Sequence, residues 1–324
     1  MKKQIVAAAV AATMTSVALA DISITGSTKV NYTNTQYDDT TKQAVNSVST
    51  EHDLAITGKN GDSTVVIKIA TDDSGSITTG KGTSGSFVTE DVYATTKVGD
   101  VNIKVGDWDN GDNLYRASTR TEDAAELSTT VGPVNVTYSS GAGEILDDKV
   151  TLKTDLGGVA VKYVDQGKDT ELGLGATFAG IKADYYLDDN NAQDTDISVV
   201  ELSTEMNGVS IAVANITADA SATITGDGWA GDFEDTSGPY DLEAGMDVTA
   251  VKLSTSMAGN AVAFTHSEAD KDSSSSTDRT FNKLVVTRPL ASGATFELTY
   301  LSAEEQGVTA DTYDKLDLEL SVKF

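Results

Sequence analysis

Two histidines and no cysteine leave little catalytic chemistry within reach of this chain of 324 residues. His52 shares its parity with Leu54 and Ile56, and His266 follows Val262 and Phe264 in the same way, so each reads as one step of an alternating strand. A hydrolytic triad would also need a nucleophile on a tight elbow such as G-x-S-x-G, and the sequence contains none. The chain is read as a non-enzyme, with no cofactor implied. In the segment Asp107-Trp108-Asp109-Asn110-Gly111-Asp112-Asn113, oxygen ligands alternate ahead of a glycine, as in a calcium loop. The closing bidentate Glu is missing, its place taken by Ser118 and followed by Thr119, so no metal site is assigned. The acids at 188–191 and 232–235 read as solvated loop residues.

What remains is the chemistry of charge. Asp and Glu number 50 against 23 Lys and Arg, a formal net charge of −27 that would repel nucleic-acid phosphates. Several lysines stand at the polar positions of alternating runs: Lys29, Lys68, Lys104, Lys153, Lys162, Lys182 and Lys252. Most lie a few residues from a short turn, so they would ring one half of an interior while acids gather in the longer loops at the other end.

The elements that position these charges are strands. Leu316, Leu318, Leu320, Val322 and Phe324 alternate with Asp317, Glu319, Ser321 and Lys323, the period of a strand with one oily and one wet face. The same alternation recurs at Val101–Ile103–Val105, at Val150–Leu152 and at Phe296–Leu298–Tyr300. Two kinds of connection separate the runs. Short ones carry Gly or Asn, at 59–61, 99–100, 132–133, 157–158, 180, 207–208, 259–260 and 292–293, where positive φ suits a tight hairpin. Longer ones, rich in Asp, Asn, Ser, Thr and Gly, span 37–46, 72–85, 107–123, 141–148, 165–169, 188–194, 218–245, 270–278 and 303–312. Their strict alternation predicts an all-β fold, a transmembrane antiparallel up-and-down β-barrel of sixteen to eighteen strands, wide enough to keep an aqueous lumen. The stretches 126–138, 165–169 and 197–205 are where the strand count could drop by a pair. Aromatics at Tyr32, Phe178, Tyr185, Phe264 and Tyr300 fall near strand ends, as an interfacial girdle requires.

Lys2 and Lys3, an apolar run through Ala12, and Ala18-Leu19-Ala20 form a secretory leader over residues 1–20, with cleavage expected after Ala20. Residues 21–324 would then be one barrel domain, with no stretch apolar enough for a membrane helix.

In this pattern, and in its terminal Phe324, the mature chain resembles the general diffusion porins of the Gram-negative outer membrane, in particular the compact proteobacterial porins. The likeness is local after the fifth strand, where Lys104-Val105-Gly106-Asp107 leads into the segment 107–115. The resemblance implies passive diffusion of ions and small hydrophilic solutes, a homotrimer in outer-membrane lipid, and Phe324 as part of the signal read by the barrel assembly machinery. It also implies that the third long loop, 107–123, folds inward as a constriction bearing Asp107, Asp109, Asp112, Arg116, Arg120, Glu122 and Asp123 opposite the basic wall. The Pro-Glu-Phe-Gly-Gly-like segment of enterobacterial constriction loops is absent. The acidic excess points to cation preference. Loop 218–245, the longest, is expected at the outer mouth. The competing reading is an exported β-rich surface protein, an adhesin or surface-layer subunit, with its apolar faces packed between sheets.

Overall fold

Alternating runs bounded by turn-forming residues fold here as strands throughout. The computed structural model describes residues 21–39, 41–71, 87–109, 120–140, 148–167, 169–190, 195–219, 245–271, 278–305 and 312–324, with no helix among them. The strands number eighteen: β1 (Asp21–Tyr37), β2 (Val45–Asn60), β3 (Ser63–Thr71), β4 (Phe87–Val98), β5 (Val101–Asp109), β6 (Arg120–Val131), β7 (Val134–Ser140), β8 (Lys149–Leu156) and β9 (Val159–Asp165), then β10 (Asp169–Phe178), β11 (Ile181–Asn190), β12 (Thr195–Met206), β13 (Val209–Ala218), β14 (Met246–Met257), β15 (Asn260–Lys271), β16 (Arg279–Pro289), β17 (Ala294–Glu305) and β18 (Tyr313–Lys323). Each pairs antiparallel with its successor and β18 pairs with β1, so the sheet closes on itself. The count is the upper end of the expected range: 126–138 and 197–205 hold strands, and 165–169 joins two of them, β9 and β10.

All eight short turns lie at one rim. Ala179, Asn207 and Ala258 take φ values of 52°, 55° and 52° at the first turn position, the left-handed conformation that the right-handed twist of a two-residue hairpin demands. The opposite rim receives the nine longer connections. Register then sorts the side chains. On one face Ile22, Ile24, Val98, Val131, Leu156, Phe178, Met206 and Met257 are all exposed, the pattern of a barrel whose outside meets lipid. Phe178 ends its strand as a girdle residue should, but Tyr185 and Phe264 lie in mid-strand. His52 and His266 share this outer face, with Nδ1 3.1 Å from Thr28 Oγ1 and 2.8 Å from Asn282 Oδ1 respectively.

The inner face departs from expectation, because it is not polar along every strand. Tyr186, Val199, Ile216, Val248 and Ala269 form a cross-strand row over β11 to β15, each directly opposite the next. All five are buried and pack in one cluster with Met246. Apolar residues are stable on an inner wall where water does not reach them. This row also explains why 197–205 alternates poorly: Val199 points in and Val200 points out, so both faces of β12 are apolar there.

The closing seam is completed at the chain end. Gly26 N–H donates to the Phe324 carbonyl at 2.9 Å, and Phe324 N–H donates to the Gly26 carbonyl at 3.0 Å. A Cβ added at Gly26 would stand 2.6 Å from the Asp53 carbonyl oxygen and 2.7 Å from Phe324 Cζ, so the exposed aromatic ring occupies the space that Gly26 leaves. Gly26→Val is expected to overpack this seam by about 1–3 kcal/mol. Heat-modifiable gel mobility measures it: the folded band should be lost at a lower temperature, and an unchanged transition would show that the ring is not seated on the glycine.

Candidate pore lining

Every lysine singled out in the sequence stands on the inner face, and most are neutralised there. Lys29 lies directly opposite Glu51 and pairs with it at 3.2 Å; Lys68 lies opposite Asp91 and pairs at 2.6 Å. Lys162 reaches diagonally to Glu171 at 3.2 Å, and Lys182 turns along its own strand to Asp184 at 2.8 Å. Lys153 faces Lys162 across the ladder, and Lys252 stands between Ala212 and Thr265. Lys315, paired with Asp317 at 3.0 Å, belongs to the same wall and was missed. The partly exposed pairs Lys29–Glu51 and Lys315–Asp317 contribute about 0.2–1 kcal/mol each, whereas Asp91, Glu171 and Asp184 are buried, so their lysines compensate desolvated charges.

Acids dominate two arcs of this wall. Across β10 to β12, Glu171 is directly opposite Asp188, and Asp184 directly opposite Glu201, all four buried. Like charges facing one another across a ladder repel, and Lys162 and Lys182 offset this. Across β2 to β4 the register shifts between Lys68 and Ile69. This bulge inserts Glu90 beside Asp91, within electrostatic reach of Asp53 and Glu51. Sequence parity cannot find Glu90, because a bulge breaks the period on which parity rests.

The segment 107–123 begins and ends in strand, at 107–109 and 120–123. β5 runs to Asp109 and β6 starts at Arg120, with those two residues opposite each other. Asp107 pairs with outward Val92, at the parity of Val101, Ile103 and Val105, and its carboxylate accepts the backbone N–H of Asp123. Asp123, at φ 49°, sits in a second bulge, where the register shifts between Gly106 and Trp108. Asp107 therefore pins a bulge. Of the other proposed constriction residues, Glu122 is on β6, Asp112 and Arg116 lie outside the described residues, and the side chains of Asp109, Arg120 and Glu122 do too. The calcium-like segment extends beyond the described residues, as does loop 218–245 for all but its ends.

Beside this bulge, Trp108 points inward by the alternation it shares with Lys104 and Gly106, and is only 1% exposed. The Lys104 ammonium lies 4.3 Å from the Trp108 ring centroid and 4.4 Å from that of Tyr93, and the two rings meet edge to face at 6.5 Å. Gly106, between Lys104 and Trp108 on the inner face, is opposite Tyr93 and has φ 131°; a Cβ there would collide with the Val92 carbonyl. Neither aromatic was singled out from the sequence, although both share the inward parity of a nearby lysine.

No family model and no curated protein matches the chain in sequence. Solved structures do match in fold. The outer membrane protein opdK from Pseudomonas aeruginosa superposes with a TM-score of 0.69 at 9% identity, over 94% of this chain and 98% of that one. OccK2 (OpdF) of the same organism gives 0.68 at 10% identity, and a BenF-like porin from Pseudomonas fluorescens Pf-5 gives 0.66 at 11%, each with the same coverage. The chain has the fold of these outer-membrane porins.

Removing the ammonium beside the facing acids should be costly. Lys162→Met is expected to destabilise the barrel by about 1–3 kcal/mol, because buried Glu171 then confronts Asp188 with less compensation. Chemical denaturation followed by tryptophan fluorescence reads this, and adding Glu171→Gln should recover part of the loss. No loss in the single variant would show that the pair is not supporting this wall.

Proposed function

We propose that this protein is an outer-membrane porin, a water-filled channel through which ions and small hydrophilic solutes diffuse passively. The observation that carries the reading is the closed barrel of eighteen strands with an apolar outside and a charge-lined inside. Eighteen strands leave a lumen too wide for wall side chains to fill. Ions entering it would feel the field of the two acidic arcs, Glu51, Asp53, Glu90 and Asp91 on one side and buried Glu171, Asp184, Asp188 and Glu201 on the other. Four lysines, Lys29, Lys68, Lys162 and Lys182, pair with these eight acids, which leaves the two arcs with an acidic excess, so the channel prefers cations.

The porin likeness extends the proposal to a homotrimer in outer-membrane lipid, delivered after loss of residues 1–20 and inserted by the barrel assembly machinery with Phe324 as part of its signal.

Single-channel recording on purified mature protein in a planar bilayer under a potassium chloride gradient tests the reading. Stepwise openings with a cation-selective reversal potential are expected. Folded protein that stays soluble without detergent and never conducts would favour the surface-protein alternative instead.

A further inference from the structure

Lys104 lies directly opposite Glu126 on the inner wall, at the kind of cross-strand position that joins Lys29 to Glu51 and Lys68 to Asp91. It does not make that pair. Its ammonium is taken by the faces of Tyr93 and Trp108, and Glu126 is left, among the described residues, with the Ser139 hydroxyl donating to Oε2 at 3.3 Å. Small residues make the diversion possible. Gly106 and, opposite it, Ala124 leave the floor between Lys104 and Trp108 open, so the lysine stem can lean along the strand towards the indole. Trp108 follows Gly106 on the same inner face of β5, and the Asp107 to Asp123 hydrogen bond holds the β6 bulge beside it.

We propose that Glu126 is a selectivity-determining acid of the channel, and that Tyr93 and Trp108 act as positioning residues which keep Lys104 from neutralising it. The proposal rests on the channel reading above. Cation–π attraction at two rings competes with one exposed ion pair on comparable terms, so a cage of this geometry can hold the ammonium. With the cage intact, the ammonium acts on the carboxylate through space without the contact that would pair them, so less of its charge is cancelled. With one ring removed, the ammonium is released to its cross-strand neighbour and the local field falls.

Reversal potentials under a potassium chloride gradient test this with the full mature chain. Glu126→Gln should lower the cation-to-anion permeability ratio about fourfold: one unit charge roughly 10 Å from the permeating ion in a water-like dielectric carries a Boltzmann weight of about two, which acts on cation and anion in opposite senses. Tyr93→Leu should lower it in the same sense. In a Lys104→Met background, Tyr93→Leu should leave the ratio unchanged, since the cage acts only through the lysine; a structural role for the ring would shift both backgrounds alike. Heat-modifiable mobility confirms folding of each variant. An unmoved ratio in folded, conducting Glu126→Gln overturns the proposal and leaves the porin reading standing, as does a Tyr93→Leu shift that survives Lys104→Met. Absence of conductance in the unsubstituted protein overturns both.

Discussion

A sheet placed in hydrocarbon has no water to satisfy its edges, so every strand needs a partner on both sides. In this chain that requirement falls on one contact, the pairing of β1 with β18. The register runs from Ser27 opposite Lys323 to Tyr37 opposite Tyr313, and the two hydrogen bonds between Gly26 and Phe324 extend it to the last residue. The first and last strands meet only when the whole chain between them has been laid out in order. Every other feature of the wall presupposes that closure. The outer face can be apolar because no backbone group is left exposed to lipid, and the inner face can carry charge because it encloses its own solvent.

Within the closed wall, charge is organised by local geometry more than by count. Cross-strand opposition alone accounts for Lys29 with Glu51 and Lys68 with Asp91. Where opposition brings like charges together, as at Glu171 with Asp188, a diagonal lysine is drawn in. Two bulges then change what opposition would have given. The first adds Glu90 to an acidic arc. The second, in β6, shifts the residues opposite Trp108, whose inward ring gives Lys104 an alternative to a carboxylate. An extra residue in one strand is a small change in sequence, but it re-aims the side chains beyond it.

The same distinction explains what could be read from the sequence. Turn chemistry and alternation are local signals, so Asn60-Gly61, Gly157-Gly158 and Asn207-Gly208 marked their hairpins, and the eighteen strands and two unequal rims followed. The inward lysines were legible for the same reason. What was not legible depended on neighbours distant in sequence. Ile197 to Glu205 looked irregular because Val199, an inner position of β12, belongs to an apolar row completed by Ile216 and Val248. Asp107 looked like a loop acid, yet its role is set by Asp123, sixteen residues on, through a bulge no period can reveal.

These constraints also account for a fold match without a sequence match. A barrel strand asks of its outer positions only that they be apolar and of its turns only that they tolerate positive φ, and many residues meet either demand. Identities of 9–11% over 94% of the chain are what remains when pattern is retained and residues are not. The inner face carries no comparable uniform demand. There each side chain answers to its own cross-strand partner, so the wall charges, the apolar row and the ring-bound Lys104 are properties of this chain, and selectivity must be argued from its own residues and not from its relatives in fold.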